Sequence, residues 1–297
     1  MAYEKDPIIV NLTFSVAMFG IIGNSLVIIS IIRRRSLLTS NYRFLVLHLA
    51  ICDLMCLVPQ SAFTMTAFYN RDVAYNKAFC LVIETRNWFA EAGVFMMLVI
   101  AVLRYRATTY PLKPPMSKRR LKTVCVIAYI ASFIPGYAVV LPRCLDNRYR
   151  ILTYNVQGYI LVFSMCLSGV LLAVTYYKIA RVLYNQSEIF KMPQDQNAVT
   201  SSFGKQRYRR NRKAFFVCIM TVVFYFTGNI SVAVGIYVQA ARNHSIPLLN
   251  EIILMLKMLT TQAVNPLIYG LLDKKLLIFW KNCQRKKANV VLKAPVE

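Results

Sequence analysis

The sequence predicts an all-α membrane protein, a bundle of seven transmembrane helices followed by a short amphipathic helix on the membrane surface. Of the 297 residues, 57% are hydrophobic and 16% are charged, whereas soluble domains average roughly 45–50% and 25%. The mean hydropathy is +0.47. The apolar residues also fall into seven runs of about 20 residues or more, the length that a helix needs to cross a bilayer.

The seven runs are apolar along their whole length, which favours helices over the alternating strands of a membrane barrel. They cover residues 8–32, 44–69, 79–103, 121–141, 154–183, 214–240 and 246–272. We therefore expect residues 1–272 to form the transmembrane domain. Residues 273–297 remain for the amphipathic helix and a short cytosolic tail.

The distribution of basic residues predicts the orientation. With the N-terminus outside, 27 of the 36 Lys and Arg residues fall in cytosolic segments and seven in extracellular ones. Excess positive charge marks the cytosolic side of a membrane protein. We expect a multi-pass plasma-membrane protein with an extracellular N-terminus and a cytosolic C-terminus, and no nucleic-acid partner.

The segment after the last span reads DKKLLIFWKNC and places Leu276, Phe279 and Trp280 among lysines. Such a pattern is typical of a helix that lies in the lipid interface, so membrane lipids are an expected partner. Cys283 at its end is a candidate for palmitoylation, with an unmodified thiol as the alternative.

Polar residues at membrane depth are costly and indicate function. Asp53 lies in the middle of the second span, and the first and seventh spans offer amides at Asn24 and Asn265. Pro266 lacks an N–H group and opens the last helix locally. The pattern predicts a hydrated polar cluster at the bundle centre. The alternative is that the two asparagines only hold helices together.

A second polar group marks the outer half of the third span, at Arg86, Asn87 and Glu91. Facing a crevice, these residues would form a polar ligand pocket with Glu251 and Lys257 of the seventh span. Ion pairs at the level of the lipid head groups are the alternative interpretation. Cys80 and Cys144 are the two extracellular cysteines, and an oxidising exterior would let them pair.

With these features the chain resembles a rhodopsin-like (class A) G-protein-coupled receptor along essentially its whole length. The motifs that carry the resemblance are GN at 23–24, LAICD ending at Asp53, Cys80 with Cys144, Arg104-Tyr105 followed by Pro111-Leu112, Tyr176, and NPLIY at 265–269. Their order and spacing across seven spans make the match specific.

The resemblance implies activation by an extracellular ligand and coupling to a heterotrimeric G protein. Arg104 with Tyr105 would meet the G protein, and Tyr176 and Tyr269 would hold the opened cytosolic end. Asn265 and Pro266 belong to the same activation machinery. Asn24, Asp53 and Asn265 would form the central sodium and water cluster.

Several positions depart from the family pattern. Leu103 stands where the family usually has an acid that restrains the arginine, which predicts raised basal signalling. Gly93 and Thr261 replace polar groups of the usual sodium site, which argues against sodium at Asp53. Phe226 and Gly228 stand where the family has a tryptophan and a proline, and we include Phe226 in the ligand pocket.

The sequence predicts no cofactor and no enzyme, because only His48 and His244 are available and no metal or serine motif occurs. A simple amine and retinal are disfavoured as ligands, which leaves a small polar molecule or a peptide. The alternative function is a transporter or channel that uses Asp53, Glu91 and Lys257 as a charge path.

Overall fold

The computed structural model describes residues 7–33, 40–70, 76–110, 112–138, 141–145, 150–191, 212, 215–216, 219–235, 237–238 and 247–272. Most of these residues are helical, and none of them lies in a strand. The helices are α1 (Pro7–Arg33), α2 (Asn41–Tyr69), α3 (Lys77–Thr109), α4 (Lys118–Phe133), α5 (Arg150–Lys191), α6 (Ile219–Gly235), α7 (Pro247–Met258) and α8 (Asn265–Leu272). A short helix at Leu141–Leu145 and two π-helical segments, Ile134–Ala138 and Leu259–Ala263, complete the described fold.

Five helices are long and apolar enough to cross a membrane. They are α1, α2, α3, α4 with its π-helical continuation, and the stretch Gly158–Asn185 of α5. α6 is apolar but shorter in its described part, and the last predicted span is divided among α7, the π-helical segment and α8. The predicted all-α membrane class is confirmed at this level. The predicted amphipathic helix and Cys283 lie outside the described residues.

The helices pack through two main clusters of buried apolar side chains. One joins α1, α2, α3 and α4, and includes Ile31, Leu45, Met96 and Leu121. The other joins α3, α5 and α6 through Ala101, Leu172 and Tyr225. Many remaining apolar side chains, such as those on the outer faces of α4 and α5, are exposed, as expected where lipid rather than protein covers a helix.

α3 and the π-helical continuation of α4 approach each other unusually closely. A Cβ atom added at Gly136 would lie 2.5 Å from the Cα atom of Trp88. Next to this contact the Trp88 indole donates a hydrogen bond to the Tyr129 carbonyl at 2.8 Å, and its ring meets Phe133 edge-on. Only glycine at position 136 allows the two backbones to come this close.

The expected disulfide between Cys80 and Cys144 is present, with the two Cα atoms 5.6 Å apart. It ties the short helix Leu141–Leu145 to the first turn of α3, where the Asn76 side chain accepts a hydrogen bond from the Ala78 amide. Glu84 lies beside the two sulfur atoms. Because both thiols are oxidised, this group offers no thiolate for a metal.

The last helix opens just before Pro266. The Val264 amide bonds to the Leu259 carbonyl at 3.1 Å, a five-residue step that defines a π-helical turn. Pro266 follows two residues later in α8 and supplies no N–H group. The predicted break therefore takes the form of one inserted residue rather than a sharp bend.

Candidate functional site

Asp53 is joined directly to the broken helix. Its side chain is 4% exposed, and its Oδ2 accepts a hydrogen bond from the Asn265 amide at 2.8 Å. The same amide donates to the Thr261 carbonyl at 2.7 Å, inside the π-helical segment. Asn265 therefore satisfies both a buried acid and a backbone carbonyl freed by the break, which links α2 to α8.

Asn24 is fully buried but bonds to backbone rather than to Asp53. Its amide donates to the Gly20 carbonyl at 2.9 Å and to the Gln262 carbonyl at 3.3 Å. The second bond reaches the π-helical segment from α1. Asn24 thus contacts the opened turn from α1, while Asp53 of α2 reaches the same turn through Asn265.

A cavity of about 40 Å³ adjoins this cluster. Three charged side chains line it, Asp53 from α2, Glu91 from α3 and Lys257 from α7. A water needs roughly 10–15 Å³ of such space, so the cavity has room for about three waters. Its other walls are Leu49, Cys56, Phe89, Ala90, Gly93, Val94, Met97, Met165, Tyr225, Asn229, Thr261 and Gln262.

Polar groups of α5 and α6 complete the walls of the cavity or support them. Ser164 donates a hydrogen bond to the Glu91 carboxylate at 2.8 Å. The hydroxyls of Ser168 and Tyr225 lie 3.0 Å apart, and the Asn229 amide donates to the Tyr225 carbonyl at 2.8 Å. Sequence reasoning missed these residues, because one serine or asparagine in an apolar run is too common to single out.

The other predicted pocket residues lie around the cavity rather than on its walls. The Arg86 guanidinium donates to the Gln60 amide oxygen on α2, and Asn87 donates to Glu84 one turn earlier on α3. Glu251 is partly buried on α7. Gln60 is another polar residue that the sequence did not single out, although it is 1% exposed in the middle of the bundle.

Phe226 packs against the cluster formed by Ala101, Leu172 and Tyr225. A Cβ atom added at Gly169 would lie 2.6 Å from the Phe226 ring, so this glycine makes room for it. Gly228 has a similar role, because a Cβ atom there would lie 2.4 Å from the Thr260 hydroxyl. The glycine in place of a proline lets α6 pack closely against the π-helical segment.

At the other end of the bundle, the Arg104 guanidinium carbon lies 4.1 Å from the centre of the Tyr42 ring. Leu103, its neighbour, packs against the buried cluster of α1 to α4. The Lys178 ammonium lies 6.0 Å from the Tyr105 ring, and Tyr176 packs on the cluster of α3, α5 and α6. Tyr269 belongs to α8, but its side chain is outside the described residues.

The arrangement thus combines a polar cavity among helices, a buried acid on a helix broken before Pro266, and an arginine at the opposite end of the bundle. The family model described as "7 transmembrane receptor (rhodopsin family)" matches residues 23–269. This chain belongs to that family. The family is one of receptors rather than enzymes, so the classification inferred from the motifs is confirmed.

The individual relatives carry the names of different kinds of receptor. The thyrotropin-releasing hormone receptor of Gallus gallus is 23% identical over 96% of this chain and 81% of its own length. Melanopsin-A of Danio rerio is 25% identical over 71% of the chain and 38% of its own length. The alpha-1A adrenergic receptor of Oryzias latipes is 34% identical over 39% of the chain and 25% of its own length. The chain thus matches less than half of the last two.

Proposed function

We propose that the receptor crosses the plasma membrane seven times, binds an extracellular ligand and activates a heterotrimeric G protein. In this proposal residues 1–272 form the membrane domain, with the N-terminus outside. Residues 273–297 form an amphipathic helix and cytosolic tail, with Cys283 as an acylation site. Epitope tags at the two termini, detected in intact and in permeabilised cells, test the orientation. Accessibility of both tags in intact cells would contradict it.

One observation supports this function above the others, namely that a single cavity joins charged groups of three helices to the broken turn. Glu91 and Lys257 line the same space as Asp53, and Asp53 is bonded to Asn265. A ligand that alters this cavity therefore acts on the helix that leads to the inner face. A ligand shifts the population of states only by binding one of them more tightly.

The ligand we propose is a small polar molecule or the end of a short peptide, with one positive and one negative group. Glu91 and Lys257 offer complementary charges within one cavity. The relatives include receptors named for thyrotropin-releasing hormone and for tachykinin-like peptides. Drug-sized ligands occupy roughly 300–1,000 Å³, far above the 40 Å³ present. Binding would therefore separate the helices and favour a more open bundle.

On the inner side we assign the contact with the G protein to Arg104, Tyr105 and Tyr176, together with Tyr269. Asn265 and Pro266 would transmit the change at the opened turn to that end. The transporter or channel alternative has no comparable support, because the chain matches a receptor family over residues 23–269.

Expression in cells with sensors for each class of G protein tests the signalling proposal. We expect the wild-type receptor to raise the activity of at least one G protein above that of cells without it, and Arg104→Ala to abolish the increase. Arg33→Ala is the matched control, because Arg33 is an exposed cation at the end of α1. Equal output from wild type and Arg104→Ala at equal surface expression would contradict the proposal.

A screen of zwitterionic amino acids and short peptides tests the ligand class. For any compound that activates the wild type, we expect Glu91→Gln and Lys257→Gln each to lower its potency by tenfold or more, because a charge left unpaired in a buried site costs at least about 1.4 kcal/mol. Glu4→Gln removes an acid ahead of the first span and serves as the control. Unchanged potency in both pocket variants would overturn the assignment.

A further inference from the structure

Tyr225 is a residue of α6 that faces the polar cavity. Its side chain is 4% exposed, and it lines the cavity together with Asn229, one turn further along α6. Phe226, which the sequence predicts as a pocket residue, does not line it. The Phe226 ring lies against α5 instead, in the space that Gly169 leaves free. A group that enters the cavity therefore contacts Tyr225 rather than Phe226.

The Tyr225 hydroxyl is bonded to Ser168 of α5, with the two oxygen atoms 3.0 Å apart. The direction of this bond follows from the second contact of the serine. A serine hydroxyl has one hydrogen, and Ser168 donates it to the Met165 carbonyl at 3.2 Å. Tyr225 is then the donor and Ser168 the acceptor. Because both side chains are buried, removal of the serine oxygen would leave a buried donor without its partner, whereas removal of the tyrosine hydroxyl would not.

Few buried apolar side chains hold α6 in place. In the part of the chain that the structure describes, the cluster of α1 to α4 contains eleven buried residues. The cluster of α3, α5 and α6 contains three, namely Ala101, Leu172 and Tyr225. One buried hydrogen bond therefore contributes a larger share of the attraction between α5 and α6 than it would among the first four helices.

The bond to Ser168 lies beside the wall that must move when the cavity opens. Ser164, one turn before Ser168 on α5, donates to Glu91 of α3 at 2.8 Å. α5 is thus bonded to α3 at the cavity and to α6 next to it. The cavity of about 40 Å³ has to grow before a drug-sized ligand of roughly 300–1,000 Å³ can enter. Growth on the side of α6 displaces Tyr225 and separates its hydroxyl from Ser168.

We infer that the hydrogen bond from Tyr225 to Ser168 holds α6 against α5 while the cavity is closed, and that a ligand acts on α6 by displacing Tyr225. This inference names the regulation of the proposed ligand site and rests on the proposed function. A contact made in only one of two arrangements biases the equilibrium toward that arrangement. A net hydrogen bond of ordinary strength corresponds to about a five-fold change in the ratio of the two.

The separation of α5 and α6 in the purified full-length receptor tests the inference without a ligand or a G protein. Nitroxide labels are attached at N185C, near the end of α5, and at M220C, near the start of α6, in a C166S/C218S/C283S background. Both label positions are exposed. Double electron–electron resonance then gives the ratio of receptors with a long distance between the labels to those with a short one.

Tyr225→Phe should raise the ratio of long to short distances about five-fold. Tyr159→Phe is the matched control, because it removes the same hydroxyl from a lipid-facing position of α5 that is 78% exposed, and it should leave the ratio unchanged. Phe226→Leu should change the ratio less than two-fold. A ratio in Tyr225→Phe equal to that of wild type, or a larger effect of Phe226→Leu than of Tyr225→Phe, overturns the inference.

A double variant separates the bond from a general loss of packing. Ser168→Ala should raise the ratio by about ten-fold or more, because it leaves the tyrosine hydroxyl unpaired. In S168A/Y225F that hydroxyl is absent, so the ratio should fall back to the value of Tyr225→Phe. Effects that simply multiply would show that the two residues act independently and would overturn the inference.

Melting temperatures check that each variant folds, and if Ser168→Ala does not fold, the comparison of Tyr225→Phe with Tyr159→Phe and Phe226→Leu decides. The G-protein sensors provide a separate measurement. A changed distance without any signalling in the wild type would contradict the proposed function and leave the bond assigned. Basal signalling of the wild type together with an unchanged distance in Tyr225→Phe would contradict the bond alone.

Discussion

The Arg104 guanidinium of α3 lies over the ring of Tyr42 in the first turn of α2, with its carbon 4.1 Å from the ring centre. Arg104 Nε is buried and has no hydrogen-bond partner among the described residues. The preceding residue, Leu103, has no carboxylate that could form an ion pair with Arg104. The aromatic ring of α2 therefore supplies an attraction for the arginine at a place where the sequence provides no acid.

Tyr42→Leu should raise basal signalling about two- to five-fold. A cation over an aromatic ring that is not fully buried gains roughly 0.5–1 kcal/mol, and losing that attraction frees the arginine for the active arrangement. Tyr42→Phe keeps the ring and should behave as wild type. Both variants are compared in the G-protein sensor assay at equal surface expression. Unaltered basal output from Tyr42→Leu would show that the ring does not restrain Arg104.

Leu103→Asp should lower basal signalling below the wild-type level. The new carboxylate lies next to Arg104 along α3 and adds an ionic attraction to the one from Tyr42. Leu103→Asn is the matched control, since it is polar and similar in size but carries no charge. The same sensors measure both variants, and equal basal output from Leu103→Asp and wild type would count against a missing acid as the cause of raised activity.

Asn265→Leu should destabilise the receptor, because it removes the amide that donates to Asp53 at 2.8 Å. A buried acceptor that loses its donor costs roughly 1–3 kcal/mol, which corresponds to a melting temperature lower by several degrees. Asp53→Asn keeps an oxygen that accepts from Asn265 and should cost less. Thermal unfolding of the purified proteins measures both changes. A larger loss in Asp53→Asn would show that this bond is not the one that matters.

Gly136→Ala should lower the melting temperature and surface expression, because the added methyl group would lie 2.5 Å from the Trp88 Cα atom. The backbones of α3 and of the π-helical segment Ile134–Ala138 must then separate. Gly158→Ala on α5 is the control, since nothing lies within 4 Å of a Cβ atom there. Alanine is also the better helix former, by about 1 kcal/mol. If both variants lose the same amount of stability, the close contact between Gly136 and Trp88 does not contribute to the stability of the receptor.

The sequence could predict the partners of the polar residues that cost the most free energy to bury. A buried aspartate needs a partner, and the asparagine before Pro266 was available, so the pairing of Asp53 with Asn265 followed from their chemistry. Ser164 was different, because a serine in a helix can bond to its own backbone, as Ser168 does with the Met165 carbonyl. Its contact with Glu91 depends on how α3 and α5 are packed.

Positions of helices were predicted more closely than irregularities within them. Long apolar runs located the first five spans, and most of the predicted helix ends lie within a few residues of the observed ones. Length and hydropathy are the properties on which membrane insertion depends most. The fifth was predicted at 154–183, whereas α5 extends over Arg150–Lys191. Neither π-helical segment was foreseen. LTTQA contains residues that also fit an ordinary α-helix, and Pro135-Gly136 in IPGYA indicates an irregularity without defining its form.

The π-helical turn at Leu259–Ala263 has a consequence for alignment. One additional residue in that turn rotates everything before it by about 100° relative to an uninterrupted helix. Counting backwards from Asn265 in steps of 3.6 residues thus assigns Lys257 and Glu251 to the wrong sides. Comparison with a relative that lacks the insertion requires a one-residue gap at this turn, and without that gap residues that contact ligand in one receptor are equated with lipid-facing residues in the other.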